Sequence, residues 1–344
     1  MGSGMNFTRI FIAAGIIAMT MNSGHAMQYD FGRASLRLTG YGTAGIIEPD
    51  FDTPNFLGDW RARAQLNYDL TGSRTIGAVY SLDAETVDTN NYIDDAFVLL
   101  EDRNIGRVEI GLTDSIAEKL GLGLPDVGGM RVNGDALFYK KIRPHGPIIT
   151  GGTIDSGDNE LRLNIGTRSI NGAQYGLSVA GGGDDYKYTA DAGVKIKWPA
   201  GKLKAAMSFA ASFMDAPDNY NADTYAPRLT ADWRSQAAWG MNIQYNSWII
   251  GANARAVYDK NAISTPSDGL SAGLGASYDI LNYSLSLSYI MSDIGIWHSD
   301  ADKYIDHTVV GSFRYKYSKN VDGWTSIGWT TKTPFLAAGL RLTF

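Results

Sequence analysis

An all-β fold is predicted for this chain of 344 residues from three features of its sequence. Glycine accounts for 40 residues and aromatic side chains for 11%, a composition typical of strands joined by many turns. Polar and apolar residues alternate with a period of two along much of the chain, as they do when successive side chains point to opposite faces of a strand. After the amino-terminal segment, no stretch of 18 consecutive apolar residues occurs, which argues against membrane-spanning helices.

Composition also excludes several classes of function. The chain has no cysteine, so thiol catalysis, disulfide frameworks and cysteine-ligated metal centres are excluded. Its net charge is −6, which argues against a nucleic-acid partner. The four histidines have no distinctive spacing to serine or acidic residues, so a catalytic triad, and with it an enzyme, is not expected.

The first 26 residues have the order of a secretory signal peptide. Arg9 precedes an apolar run over residues 10–21, and the small residues Gly24 and Ala26 follow it. The apolar run is too short to cross a bilayer as a helix, which takes about 20 residues. We therefore expect cleavage after Ala26, leaving one exported domain over residues 27–344.

Two ribbons show which surroundings the strands require. Trp60 and Tyr68 lie on the apolar face of one ribbon, and its other face is entirely polar. Trp248 and Tyr258 begin and end the apolar face of another, about ten residues and roughly 25 Å apart along a tilted strand. Aromatic residues at both ends of an apolar band are typical of a membrane-spanning β-barrel, whereas a soluble sandwich has no need of them. The sequence therefore predicts a transmembrane antiparallel up-and-down β-barrel with these four residues in its aromatic girdles.

Alternation and turn residues predict sixteen strands, in which short turns alternate with longer loops. One connection is much longer than the others: the interval at about 113–158, between the fifth and sixth strands. Loops of this length are usually functional. A hairpin formed by residues 131–142 and 147–154 would instead give eighteen strands. The predicted strands begin near residues 33, 57, 73, 92, 105, 159, 173, 184, 201, 230, 248, 268, 282, 303, 321 and 335.

Two motifs resemble those of Gram-negative general diffusion porins. The chain ends in a strand with apolar residues at every second position and a terminal Phe344, similar to the closing strand that the barrel-assembly machinery recognises in outer-membrane proteins. Residues 124–129, Leu-Pro-Asp-Val-Gly-Gly, are similar to the Leu-Pro-Glu-Phe-Gly-Gly of the third porin loop. The resemblance implies a trimer in the outer membrane, surrounded by lipid and lipopolysaccharide. It also implies a water-filled channel through which small hydrophilic solutes and ions diffuse passively.

The resemblance further implies that the third loop folds into the barrel and narrows it opposite basic wall residues. Alternation places Arg37, Arg61 and Arg63 on the lumen side of the first two strands. If acidic loop residues face them, a transverse field crosses the constriction. Leu122 stands where the family has a second loop acid, which leaves only Glu118 or Asp114 as candidates for that charge. The predicted constriction residues are Arg37, Arg61, Arg63, Asp114, Glu118, Asp126 and Arg131.

Three further expectations are less specific. Small outward residues on the first, second and last strands, among them Gly40, Ala62 and Ala338, suggest close packing between protomers. Asp155, Asp158 and Glu160 offer oxygen ligands for a structural calcium ion, although the absence of a twelve-residue EF-hand spacing favours an exposed acidic loop. The acidic net charge suggests a modest preference for cations. A substrate-selective channel and a structural or adhesive barrel remain as alternatives to passive diffusion.

Overall fold

The computed structural model describes residues 27–49, 55–85, 93–128, 161–181, 188–215, 233–260, 269–294, 304–331 and 333–344. These residues form seventeen strand segments, β1–β17, and one short helix, α1, in this part of the chain. The helix, Ile116–Leu120, lies between β6 and β7. The strands are β1 Met27–Phe31, β2 Ala34–Pro49, β3 Asn55–Thr71, β4 Arg74–Glu85, β5 Ile93–Asp102, β6 Gly106–Leu112, β7 Leu161–Thr167, β8 Ala173–Gly181, β9 Tyr188–Ala200, β10 Leu203–Asp215, β11 Trp233–Tyr245, β12 Trp248–Lys260, β13 Gly269–Ile280, β14 Tyr283–Ile294, β15 Tyr304–Lys316, β16 Val321–Thr330 and β17 Pro334–Thr343.

The strands form a closed antiparallel barrel. Each strand from β2 to β17 pairs with the next along the chain, and β17 returns to pair with β2 over Tyr41–Pro49. The barrel wall therefore has sixteen strands. The short β1 pairs with the first part of β2, at Ala34–Leu38. It lies along the same edge of β2 that pairs with β17 from Tyr41 onward. Backbone hydrogen bonds in both directions between Gly40 and Phe344 complete the closure.

The sixteen predicted strands are confirmed, and most begin within three residues of the expected position. The eighteen-strand alternative is wrong for the wall, because β6 pairs directly with β7 from Gly106 and Thr167 onward and leaves no room for a hairpin between them. The segments proposed for that hairpin, 131–142 and 147–154, lie outside the described residues. The sequence did not indicate β1.

The predicted sides of the strands are also confirmed. Outward residues such as Leu66, Ile250 and Leu274 expose 51%, 58% and 62% of their surface, as expected where lipid replaces water. The girdle residues Tyr68, Trp248 and Tyr258 are exposed on the same outer face as these, and Trp60 is half-buried there.

Aromatic side chains stack across strands at both ends of the outer face. Trp233 lies between Phe213 and Tyr258, with ring centroids 5.6 and 5.5 Å away. At the other end, the rings of Trp248 and Tyr278 are 4.5 Å apart. An apolar band of isoleucine and alanine separates the two rows on β12, which is the arrangement expected of a membrane-spanning barrel.

The two ends of the barrel differ in the length of their connections. At the end that carries both β1 and the carboxyl terminus, the connections are short turns, such as 72–73, 201–202 and 246–247; we call this the short-turn end. The opposite, long-loop end carries the connection from β6 to β7, which spans 113–160. Such asymmetry is typical of outer-membrane barrels.

Candidate functional site

The described part of the long connection, residues 113–128, runs inside the barrel; we call it the inner loop segment. Its helix α1 packs against β8, β9 and β10. Ser115 caps the helix by accepting a hydrogen bond from the Glu118 amide at 3.1 Å. The apolar side chains of Ala117, Leu120 and Leu124 are buried, because they face the wall rather than the lumen water. The predicted inward third loop is therefore seen for these residues, and the remainder to 158 lies outside the described residues.

Wall side chains satisfy the backbone of the inner loop segment one strand after another. The Ile116 and Leu122 amides donate to hydroxyls on β8 and β10, at 2.8 and 3.0 Å. Further along, Asn242 on β11 donates to the Gly123 carbonyl, and β14 and β17 hold residues 125–128. Each bond contributes about 1 kcal/mol, and together they fix a chain segment that has no sheet partner. The wall partners are Ser178, Ser208, Asn242, Ser286, Ser288 and Arg341.

Glycines in the wall allow this close approach. A Cβ atom on Gly176 of β8 would overlap the Ile116 side chain, and one on Gly240 of β11 would overlap the Leu122 carbonyl. Further round the wall, Cβ atoms on Gly251 and Gly273 would overlap Pro125 and Leu124, and one on Gly275 would lie 3.2 Å from Pro125. Glycine and serine thus line the track that the inner loop segment follows, which we call the loop track; its glycines are Gly176, Gly193, Gly240, Gly251, Gly273 and Gly275.

The wall opposite this track carries paired charges. Arg61 on β3 forms ion pairs with Asp94 at 2.5 Å and with Asp83 at 3.4 Å. Its neighbour on the same face, Arg63, pairs with Asp95 at 3.0 Å. About 29% and 32% of the two arginine side chains is exposed, so the pairs are in contact with the lumen. We call Arg61, Arg63, Asp83, Asp94 and Asp95 the arginine–aspartate cluster.

An irregularity in β5 brings two of these aspartates together. Ser81 of β4 pairs with Asp95, whereas the next residue of β4 pairs with Ile93, so Asp94 has no partner of its own in the ladder. A β-bulge of this kind re-aims a side chain that would otherwise point to the other face. The Ser81 hydroxyl lies 2.8 and 3.1 Å from the two carboxylates, which share its single proton, so both consecutive aspartates point into the lumen.

The inner loop segment adds one acid to this wall. Asp114 interacts electrostatically with Asp95, Asp94 and Arg61, and its backbone carbonyl accepts a hydrogen bond from Asn164 at 2.8 Å. Burial raises the pKa of the Asp114 carboxyl above its ordinary value, and repulsion by Asp95 and Asp94 adds to the increase, although Lys119 opposes it.

A second group of charges lies beside the first. Glu109 on β6 pairs with Lys119 of α1 at 2.6 Å and with Arg107 at 2.7 Å. Both cations lie over the buried ring of Phe97, as does Arg63, at 5.0 to 5.7 Å from its centre. The start of the loop is therefore anchored to the wall by charge and by aromatic packing.

The sequence-predicted constriction residues have different surroundings. Arg61, Arg63 and Asp114 come together as described, but the acids that pair with the two arginines belong to β4 and β5 rather than to the loop. Arg37 lies nearer the short-turn end, opposite Gln65, and is exposed.

The other loop acids are held against the far wall. Glu118 belongs to the first turn of α1, against β8 to β10. The Asp126 carboxylate accepts hydrogen bonds from the Gly128 amide at 2.9 Å and from Ser286 at 3.2 Å. Arg131 and the calcium candidates Asp155, Asp158 and Glu160 lie outside the described residues.

Other kinds of site are not seen in the described ranges. Within them, no group of three histidine or acidic residues is arranged to hold a metal ion. His307 lies on the outer face of β15, where its Nδ1 is 2.8 Å from the Tyr289 hydroxyl. The described helix is neither long enough nor apolar enough to span a membrane.

Comparisons with known proteins agree with this architecture. The profile of the Gram-negative porin family matches residues 13–332. In structure, the chain resembles OmpT of Vibrio cholerae (TM-score 0.65, 10% identity, 93% of this chain and 100% of that one) and Salmonella typhi OmpF in complex with daunomycin (0.64, 12%, 92% and 100%). It also resembles an anion-selective porin from Comamonas acidovorans (0.60, 15%, 90% and 100%). No curated protein matches the chain significantly in sequence. The family match covers most of the chain, so this protein belongs to the Gram-negative porins, β-barrel channels of the outer membrane.

Proposed function

We propose that the protein is a general diffusion channel whose narrowest part lies between the inner loop segment and the arginine–aspartate cluster. The observation that carries this proposal is the path of residues 113–128, which follow the loop track. The segment fills one side of the lumen, and the charged wall on the other side stays exposed to water. Solutes that pass such a site exchange hydration water for oriented charges and hydroxyls, which favours small polar molecules over apolar ones.

Reconstitution tests the proposal directly. Purified protein in planar bilayers should give discrete conductance steps. In liposomes, swelling rates should rise linearly with the concentration of small sugars and fall with their size. Saturation at millimolar sugar concentration would contradict passive diffusion, and an absence of conductance would support a blocked structural barrel instead.

A substrate-selective channel is the second candidate, because lysines line one part of the lumen. Lys195 and Lys197 of β9 and Lys204 of β10 share the inward face on the short-turn side of the loop track. Such a row favours anionic solutes. Saturable uptake of a carboxylate or phosphate ester that is lost on replacing Lys195 and Lys197 by glutamine would favour this candidate over passive diffusion.

The assembly proposed is a homotrimer embedded in lipid and lipopolysaccharide. One structural neighbour, OmpT of Vibrio cholerae, is described in a trimer form. Outward small residues on β2, β3 and β17, such as Gly42, Ala62 and Ala338, support close packing of protomers there.

The two ends of the chain carry the signals that we propose for export and assembly. We propose that residues 1–26 are removed on export, and that β17 with Phe344 is the strand recognised by the barrel-assembly machinery. Amino-terminal sequencing of protein extracted from outer membranes should begin at Met27. Deletion of Phe344 should lower the amount of folded barrel in the membrane while leaving export intact.

A further inference from the structure

The bulge at Asp94 adds a charge to the lumen and shifts the pairing of β4 with β5 by one residue at that point. In a regular strand, consecutive residues point to opposite faces, so one of Asp94 and Asp95 would face lipid. A carboxylate on the lipid face of a strand is destabilising. Because Asp94 is the extra residue in β5, both carboxylates instead face inward and share the Ser81 hydroxyl.

In the described part of the chain, carboxylates outnumber cations at this wall. Asp94 and Asp95 form ion pairs with Arg61 and Arg63. Neither guanidinium therefore presents an uncompensated positive charge to the lumen. Asp83 and Asp114 add further negative charge, whereas the pairs formed by Glu109 leave only one cation in excess. Among the described residues at this wall, five carboxylates face four cations; they are Asp83, Asp94, Asp95, Glu109 and Asp114 against Arg61, Arg63, Arg107 and Lys119.

We propose that Asp94, held inward by the bulge, is a specificity-determining residue that makes this channel prefer cations. The proposal rests on the proposed function, since only a conducting lumen has a selectivity. Asp94 and Asp83 expose 18% and 21% of their side chains, so their field reaches ions in the water beside them. A unit charge several ångströms away, screened by salt water, changes the ratio of local cation to anion concentration by about threefold.

Two variants separate the charge of Asp94 from the bulge itself. Asp94→Asn keeps the extra residue and removes the charge. Deletion of Asp94 removes both, and leaves the remaining partners of β4 and β5 in their present register. Asp279→Asn is the matched control, because Asp279 is a lumen aspartate near the short-turn end, 54% exposed and 3.9 Å from Arg314.

The measurement is the reversal potential of single channels in a potassium chloride gradient at neutral pH. We expect wild type to prefer potassium, and both Asp94 variants to reduce the potassium-to-chloride permeability ratio by about threefold. The control should change it much less. Folding is checked by the resistance of the barrel to unfolding in detergent gels, and if the deletion does not fold, Asp94→Asn alone decides.

Two results would overturn the inference: an unchanged permeability ratio in Asp94→Asn, or an equal change in Asp279→Asn. Either result would leave the proposed function intact, because the channel would still conduct. A wild-type protein that folds but gives no conductance would instead contradict the proposed function, so the two failures are distinguishable.

Discussion

Among single residues, Asp114 couples the charge of the constriction to pH. Its pKa is raised above the ordinary aspartate value of about 3.9, mainly by burial, so it takes up a proton at a higher pH than an exposed carboxylate. Protonation of Asp114 removes one negative charge from the constriction, beside Asp94, Asp95, Arg61 and Lys119. We therefore expect the cation preference to weaken as the pH is lowered from 7 towards 4, measured as reversal potential.

The variant Asp114→Asn provides the comparison for this effect. It should have a weaker cation preference than wild type at pH 7, and its reversal potential should change less with pH over the same range. If both proteins follow the same pH curve, other carboxylates determine the titration and Asp114 has no part in it.

Some of this residue-level picture was accessible from sequence. The period of two placed Arg61 and Arg63 inward correctly, because a one-residue shift would have put their charges into lipid. It did not reveal their partners, which belong to β4 and β5 and are fixed by pairing between strands. A signal was present, however: the consecutive acids Asp94 and Asp95 cannot both face inward on a regular membrane strand, so their adjacency indicates a bulge.

At the scale of elements, the inner loop segment is positioned by the wall rather than by its own sequence. The long interval and the family-like residues 124–129 predicted a loop inside the barrel. Its path could not be predicted, because it is held by single glycines and serines on strands as far along the chain as β14, and by Arg341 on β17. Such residues carry no periodic signal of their own.

A substitution within the loop track tests this dependence. Gly240→Val would place a side chain where the Leu122 backbone now lies, and would therefore push the inner loop segment away from the wall and into the lumen. We expect single-channel conductance to fall by roughly a quarter to a half, since pore diameter limits flux. Gly311→Val is the control, because the nearest atoms to a Cβ there are 3.9 Å away. Equal loss in both variants would indicate a general effect of valine on the barrel.

For the whole molecule, the number of strands and the sides they present followed from the sequence because the bilayer imposes one rule on every strand. Outward residues must be apolar and lumen residues wettable, so the same alternation recurs sixteen times. Closure by β17 onto β2 was indicated by the terminal strand. The short β1 was not, because its five residues, Met-Gln-Tyr-Asp-Phe, alternate between apolar and polar over too short a run to give a clear signal.

Assembly into a trimer requires one part of the outer face to be covered by protein, and the barrel has two faces of small residues. One comprises β2, β3 and β17 around Ala62; the other is an apolar groove of about 690 Å³ on β8–β13, where Ala254 lies. Close approach of protomers depends on small side chains, so a tryptophan at the interface should separate them.

We expect Ala62→Trp to convert the trimer to monomers, detected by native mass and by conductance steps of one channel instead of three. Ala254→Trp, an identical change on the lipid-facing side, should leave the trimer intact. The opposite pattern would place the interface on the groove of β8–β13 and contradict packing through the two ends of the chain. A monomeric wild type would contradict the trimer itself.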